Sequence, residues 1–473
     1  MDALMWSYLA GGMAYLVPLA LVLVVLSGLD EEDARATALL IPVVTGVVVL
    51  AYIAVGFAFE FGGVGLMDSR HGFSQLVWEW SPLPEQWGPY WGMAGFAGWL
   101  LWRGSGTPDA VALFWGHLPW ILSASFIPVL VLRRRVLSLY PLLVAALMGG
   151  VVVPLAGNWA HGGGWLSRLG ATLGWGHGYV DFGGGGLVGI VGGAAGLSLL
   201  LAFQLRRPDG EDSPSLPEVH FPALALIGSF LFVVGTAGWA LNNPLYELSQ
   251  LPIHRILANG AIGWFAGMVV PAFYLWFVAD VYHPHFSFLG GWASWLAVLP
   301  GLPFLPPWVV LAVGLVVGGT TPLLIYVVRE RLRLDDPAGL VGASLWGGLG
   351  GLIILGFLAD GRYGSGWHGI GSTSYLGVPH QGVSGLWVAE PFNADWPGQM
   401  LAQLAGASAY FVWAFFILSV LGIVLALLSK IPHGLRTDSS PSSAPVEQAD
   451  IGAAPVVEVE SASHPPLDSH QDG

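Results

Sequence analysis

Few residues in this chain are equipped for chemistry, and their spacing suits holding a cation more than breaking a bond. Asp181 opens the run Asp181-Phe182-Gly183-Gly184-Gly185-Gly186. A carboxylate there caps a helix, because it accepts from the free N–H groups of the first turn and opposes the positive end of the dipole. The same charge favours a cation at the mouth of whatever that helix lines. No base lies near it, so catalysis is not expected. Upstream, Trp159 and His161 share the stretch Trp159-Ala160-His161-Gly162-Gly163-Gly164-Trp165. Indole faces attract cations, so these residues read either as interfacial loop residues or as the wall of a vestibule.

Trp115, Trp120 and Trp239 fall toward the ends of apolar runs. Indoles at such places serve as a membrane belt or as a constriction. Asn242-Asn243-Pro244 stops a helix, and Asn243 offers an amide oxygen as acceptor. Gly189 and Ser344 read as packing residues of two Gly-rich helices. Where they line a pore, they supply one hydroxyl and nothing that titrates. All 13 His residues, with Glu60, Asp181 and Asp280, read as loop or span-end residues, so no ionisable group is expected deep in an apolar layer. Proton-driven pumps keep such groups in their path; the expectation is a passive, apolar route.

Other chemistries are excluded. There is no cysteine, hence no disulfide and no thiolate site. No Gly-rich phosphate loop with Lys, no His-x-x-x-His pair and no hydrolase triad is present, and His283 and His285 merely flank Pro284. Neither a cofactor nor an enzymatic activity is expected.

The elements that position these residues follow from composition. Of 473 residues, 55% are hydrophobic and 10% charged, with a mean hydropathy of +0.67. A soluble domain carries roughly a quarter charged residues. Gly (68) and Trp (23) are abundant, as in membrane helices and their aromatic belts. Net charge is −14, which argues against nucleic acid, and seven of the acids lie in 437–473 without any Lys or Arg. That Ser/Pro-rich tail is expected to be disordered, leaving 1–436 as the transmembrane domain. The run from Tyr8 to Leu26 is long enough to span and lacks a basic leader, so no cleavable signal peptide is expected.

About 20 apolar residues cross the hydrocarbon. Such runs fall at 5–27, 37–59, 110–132, 138–156, 181–203, 219–241, 256–279, 286–303, 307–328, 338–358 and 403–429. The expected fold is an all-α membrane protein of eleven transmembrane helices. With the N-terminus outside, eleven basic residues fall inside (Arg35, Arg133, Arg134, Arg135, Arg206, Arg207, Arg329, Arg331, Arg333, Lys430, Arg436) and five outside (Arg70, Arg103, Arg168, Arg255, Arg362). This places the C-terminus inside. Five spans precede the loop 204–218 and five follow, before a final long helix. An odd number per half makes two inverted halves, whose site lies between them at Gly-interrupted helices. The fifth and tenth spans, opening at Asp181 and at Asp335-Asp336-Pro337, are therefore expected to meet at the centre and frame a narrow passage.

The segments Ala54-Val55-Gly56-Phe57-Ala58-Phe59, Trp159 to Leu166, Asp181-Phe182-Gly183-Gly184-Gly185, Arg333-Leu334-Asp335-Asp336-Pro337 and Gly434-Leu435-Arg436 together resemble the ammonium transporter (Amt/Mep/Rh) family in order and spacing. The resemblance implies a homotrimer in the plasma membrane that conducts ammonium or ammonia as a channel-like facilitator. It also implies a cytoplasmic PII-type signalling partner. On it, Asp181, Trp159, His161, Trp239 and Asn243 meet the solute, while Trp115, Trp120, Gly189 and Ser344 line the pore. The chain departs from the pattern where the family carries two pore histidines: Gly189 and Ser344 occupy those positions. His161 stands where the external site has Trp. The alternative is a non-conducting member serving as sensor or as a structural subunit of a trimer.

Overall fold

A computed structural model describes residues 3–83, 91–102, 106–132, 136, 139–205, 220–246, 250–277, 284–336 and 339–429. The basic residues Arg103, Arg133, Arg134, Arg135, Arg206, Arg207, Lys430 and Arg436, together with Asp280, His283, Pro337 and the tail 437–473, lie outside the described residues.

The described chain is mostly helical. Nine helices are long and apolar enough to cross a membrane: α1 Leu4–Ser27, α2 Glu31–Leu66, α3 Pro108–Leu132, α4 Leu139–Ala160, α6 Pro222–Leu241, α7 Ile253–Phe277, α9 Pro307–Arg331, α10 Leu340–Leu358 and α11 Gly398–Ser429. Two more, α5 Leu187–Ala202 and α8 Pro284–Val298, are shorter. Both are buried along nearly their whole length, so they form the centre of the bundle and the longer helices surround them. The outer helices keep apolar side chains exposed, such as Phe230, Phe265, Phe273, Trp308, Val412 and Phe416. In water that surface would be costly; in lipid it is the matching face. The protein is an all-α, multi-pass membrane protein.

Local signals explain the helix ends. Asp30 caps α2, accepting from the Asp33 N–H at 2.7 Å, with Glu31, Glu32 and Asp33 in the first turn. Among the described residues, four helices contain a π-turn: Tyr52–Gly56 in α2, Met148–Val152 in α4, Leu187–Val191 at the start of α5 and Val327–Arg331 at the end of α9. Such bulges concentrate at functional sites. The first two face each other, for a Cβ on Gly56 would lie 2.5 Å from the Gly149 carbonyl oxygen.

The fifth and tenth segments do meet. Each begins under an aspartate that reaches forward by the same interval. Asp181 accepts from the N–H groups of Gly186 and Leu187, five and six residues on, at 3.2 and 3.0 Å. Asp336 accepts from Val341 and Gly342, again five and six residues on, at 3.0 and 3.4 Å. The helices then pack backbone to backbone. A Cβ on Gly189 would sit 2.7 Å from the Ser344 oxygen, and one on Gly348 would sit 2.8 Å from the Ile190 nitrogen. This corrects the expected passage. The glycines let α5 and α10 close on each other, and nothing can travel between them.

Two polar caps complete the described chain. Residues 61–83 and 91–102 fold over one end around the short pairing of Glu79–Trp80 with Ala94–Gly95. Residues 359–397 carry a second pairing, Ser374–Tyr375 with Val378–Pro379. Arg255 ties this second cap to the bundle, donating to Asp360 at 2.8 Å and to the Leu305 carbonyl at 2.8 Å. Gln399 and Gln403 of α11 grip the loop before Asp181, pairing with the backbone of His177, Gly178 and Val180.

Candidate functional site

The site is built around Asp181, whose two oxygens are committed to the α5 N-terminus and whose residue is only 3% exposed. His161, at the end of α4, brings its Nε2 to 4.0 Å from the Asp181 carboxylate. That nitrogen is buried and has no hydrogen-bond partner among the described residues. Against His161 lies His117 of α3, with ring centroids 5.8 Å apart. His117 in turn faces Glu60, Nδ1 to Oε1 3.2 Å, and both side chains are 0% exposed. The other Glu60 oxygen accepts from the Tyr52 hydroxyl at 2.6 Å, and its backbone carbonyl accepts from the Asn158 amide at 3.0 Å. Gly157 makes room for the carboxylate, since a Cβ there would fall 2.3 Å from Glu60 Oε1. Asn243 completes the group, its amide nitrogen 3.4 Å from His117 Nε2.

Two carboxylates and two imidazoles thus form one buried chain drawn from four separate elements. An isolated buried charge costs several kcal/mol and persists only when paired. The expectation of no ionisable group within an apolar span is corrected here. His117 lies nine residues into α3, about 14 Å from its first residue at 1.5 Å per residue. Glu60 is part of the helical turn Phe57–Phe61 and is not a loop residue. The one available signal was a lone His inside a 25-residue apolar helix. Its partner stands 57 residues earlier, and no periodicity links the two.

The floor of this polar group is aromatic. Trp120 lies 4.7 Å from His117 and 5.2 Å from His161, centroid to centroid, and stacks on Trp239 at 5.4 Å with planes 12° apart. The Trp239 indole donates to the Gly183 carbonyl at 2.8 Å. Below it the indoles continue. Trp295 lies 5.2 Å from Trp239, and Trp292 5.8 Å from Trp295. Phe232 packs against Trp295 at 4.7 Å and Trp264 at 3.8 Å. All six rings are at most 1% exposed. Ser344 is not free to face a solute, because its hydroxyl accepts from the Trp292 indole at 2.9 Å. A column of indoles, from α3, α6 and α8, fills the space beside the α5–α10 contact.

Two expected site residues stand elsewhere. Trp115 is 37% exposed, donates to the Tyr8 carbonyl at 3.1 Å and rests on Tyr15 of α1. It is five residues from Trp120, hence about 140° around the helix, and cannot share its face. Trp159 donates to the Met93 carbonyl at 2.9 Å and packs on Trp165, Tyr410 and Trp413. Two residues from His161, it points away from it and fastens the first cap to α11. Asp181, His161, Trp120, Trp239 and Asn243 are brought together; Gly189 and Ser344 serve packing.

The loop before Asp181 supplies a second titratable pair, outside the helices. His177 is fully buried, and burial, with repulsion from nearby His368, lowers its imidazole to about 3. His368 is itself lowered to about 4, by burial first, although its Nδ1 lies 2.9 Å from the His177 carbonyl. In the first cap, burial raises the Glu79 carboxyl to about 7 against the pull of Arg168. Among the described residues, no group of three or more metal-ligating side chains is assembled.

The chain is 28% identical over 371 residues to the ammonium transporter Amt2 of Archaeoglobus fulgidus, an alignment covering 77% of this chain and 70% of that protein. It is 26% identical over 288 residues to an ammonium transporter of Bacillus subtilis, covering 60% of this chain and 63% of that one. Among solved structures, a protein described as a sensor Amt protein superposes with a TM-score of 0.68 at 18% identity, over 91% of this chain and 93% of the other. Saccharomyces cerevisiae Mep2 superposes with a TM-score of 0.68 at 16% identity, over 91% and 86%. At these identities the two structures speak for the fold alone. The model of the Ammonium Transporter Family matches residues 13–454, and the chain belongs to that family.

Proposed function

We propose that this protein carries ammonium, or ammonia derived from it, across the plasma membrane as a channel-like facilitator. The observation that carries the reading is the buried outer site. His161 Nε2 is a buried acceptor without a partner among the described residues, the Asp181 carboxylate lies 4.0 Å from it as a negative charge, and Trp120 and Trp239 form an aromatic floor that attracts a cation. Family membership supplies the solute and the rest of the frame: eleven crossings in two inverted halves, N-terminus outside, C-terminus inside, and a homotrimer. The matching five- and six-residue reach of Asp181 and Asp336 supports the two halves. A cytoplasmic PII-type partner is the family's regulator and is proposed for the inner face on that basis alone.

The filled indole column makes conduction dependent on side-chain movement, so the open state differs from this one. Labelled methylammonium uptake into liposomes holding only the full-length protein is the test. Saturable uptake above empty liposomes supports the reading. Flux equal to that of empty liposomes, with the protein folded and inserted, overturns it in favour of a non-conducting sensor or structural subunit.

A further inference from the structure

The ends of three crossing helices meet beside the second cap. α7 begins at Ile253, α9 begins at Pro307 and α10 ends at Leu358. An open pocket of about 500 Å³ lies where they meet, and Arg255, Trp308, Leu358, Asp360, Arg362 and Trp387 are among its lining residues. Ends of spanning helices mark the depth at which hydrocarbon gives way to headgroups. Trp308 and Trp387 fit that depth, being 71% and 67% exposed, as indoles of an interfacial belt are. Along α9, Leu311 and Leu315 follow Trp308 at three and seven residues, so an exposed apolar strip runs from the pocket down one face of the helix. The charges in the pocket do not cancel. Asp360 is the only acid among the described lining residues and faces two guanidiniums. One of its oxygens accepts from Arg255 at 2.8 Å, whereas Arg362 Nε stands 3.9 Å from that oxygen, beyond hydrogen-bond reach. The other accepts from the Arg362 backbone N–H at 3.1 Å. One carboxylate against two cations leaves one positive charge. Arg255 is held in place, donating also to the Leu305 carbonyl and lying 5.0 Å from the Tyr363 ring. Arg362, whose side chain is 60% exposed, is the cation placed to reach a ligand.

We propose that this pocket holds the headgroup of an anionic phospholipid from the leaflet on the side of the second cap. A phosphodiester carries the one negative charge the pocket lacks, and its two free oxygens match the planar fork of a guanidinium. The phosphate sits on Arg362, with Arg255 behind it as a fixed second cation. The glycerol and the first acyl carbons rest on Trp308, and the chain continues along Leu311 and Leu315. A soluble anion would satisfy the guanidinium and leave that strip unused; a zwitterionic lipid would cover the strip and bring its own cation toward Arg362. Only an anionic lipid meets both features. Asp360, Arg362 and Trp387 belong to the second cap, while Trp308 belongs to α9, so an occupied site ties the cap to the bundle. The Trp387 N–H donates to the Phe357 carbonyl at 2.8 Å and the Ala389 N–H to the Asp360 carbonyl at 3.1 Å, which fixes the far wall. The site stands whether or not the protein conducts.

The experiment is native mass spectrometry of the full-length protein released from detergent, titrated with phosphatidylglycerol and with phosphatidylcholine of the same acyl chains. Glycerol phosphate is the soluble arm. The wild type is expected to retain phosphatidylglycerol at a roughly fivefold lower half-saturating concentration than phosphatidylcholine, the contribution of one basic group to an anionic lipid. Arg362→Gln should remove that preference and leave phosphatidylcholine retention unchanged. Arg362→Lys, which keeps the charge and loses the fork, should restore most of it. Trp308→Ala should weaken retention of both lipids. Equal retention of the two lipids by the wild type, a measurement that needs no variant, overturns the proposal; the pocket is then empty or covered by another copy of the chain. A preference that survives Arg362→Gln overturns it as well. Displacement of phosphatidylglycerol by an equal concentration of glycerol phosphate would assign the pocket to a free phosphate ester and overturn the lipid.

Discussion

Replacing Gly189 by alanine tests whether α5 and α10 truly close on each other. The added Cβ would lie 2.7 Å from the Ser344 carbonyl oxygen, 2.9 Å from Gly348 Cα and 3.0 Å from Gly348 N. Carbon–carbon contacts relax near 3.5–4.0 Å, so the helices must part by roughly 1 Å. All three opposing atoms are backbone and cannot swing aside. Overpacking of this kind costs about 1–3 kcal/mol. Alanine recovers about 1 kcal/mol of that through its better helix propensity, leaving a net loss of up to about 2 kcal/mol. Gly350, on the same α10, is the control, because nothing lies within 4 Å of its added Cβ. There alanine should gain about 0.5–1 kcal/mol. The assay is thermal unfolding of both variants in mild detergent, followed by tryptophan fluorescence. Gly189→Ala is expected to unfold several degrees below Gly350→Ala. Equal midpoints, or the reverse order, would refute the backbone contact. The same geometry predicts that a Gly189→His, Ser344→His pair yields misassembled protein and no gain in uptake.

Three further outcomes follow. Trp295→Ala removes a fully buried indole that touches Trp239, Trp292 and Phe232; it should cost about 3–5 kcal/mol and raise the osmotic water permeability of reconstituted vesicles by stopped-flow light scattering. Unchanged permeability with the folded variant would mean the column is not the seal. Arg255→Gln strips Asp360 of its buried partner at 2.8 Å and should lower stability by about 3–5 kcal/mol in the same unfolding assay, whereas a loss under about 1 kcal/mol would deny that the pair anchors the second cap. His177 is lowered to about 3 when folded and lies near 6.5 when unfolded, so the unfolded chain binds the extra proton between those values. Stability should therefore be fully present above pH 6.5 and fall by about 1.4 kcal/mol per pH unit toward pH 3, relative to His177→Gln; identical pH profiles for the two proteins would sink the assignment.

The sequence by itself determined the all-α, multi-pass membrane character. Apolar length is a local property: a run of about 20 such residues must span whatever its neighbours are. Nine of the runs read from it correspond to helices long and apolar enough to cross and two to the shorter helices α5 and α8, and Asp181 was legible as a cap because capping is decided by residues five or six positions away. The order of the Gly-, Trp- and Asp-rich motifs likewise sufficed for the family. What only the tertiary structure decided is the direction of each side chain and what stands opposite it. Glu60 and His117 are individually unremarkable letters at the edge of and within apolar runs; they become a site because the α2 π-turn and Gly157 bring them within 3.2 Å. Trp115 and Trp120 look equivalent in sequence and part ways by about 140° of helix. The glycines of α5 and α10 promised a lumen. Without side chains to hold them apart, the two backbones meet, and indoles reaching in from α3, α6 and α8 occupy the space beside them.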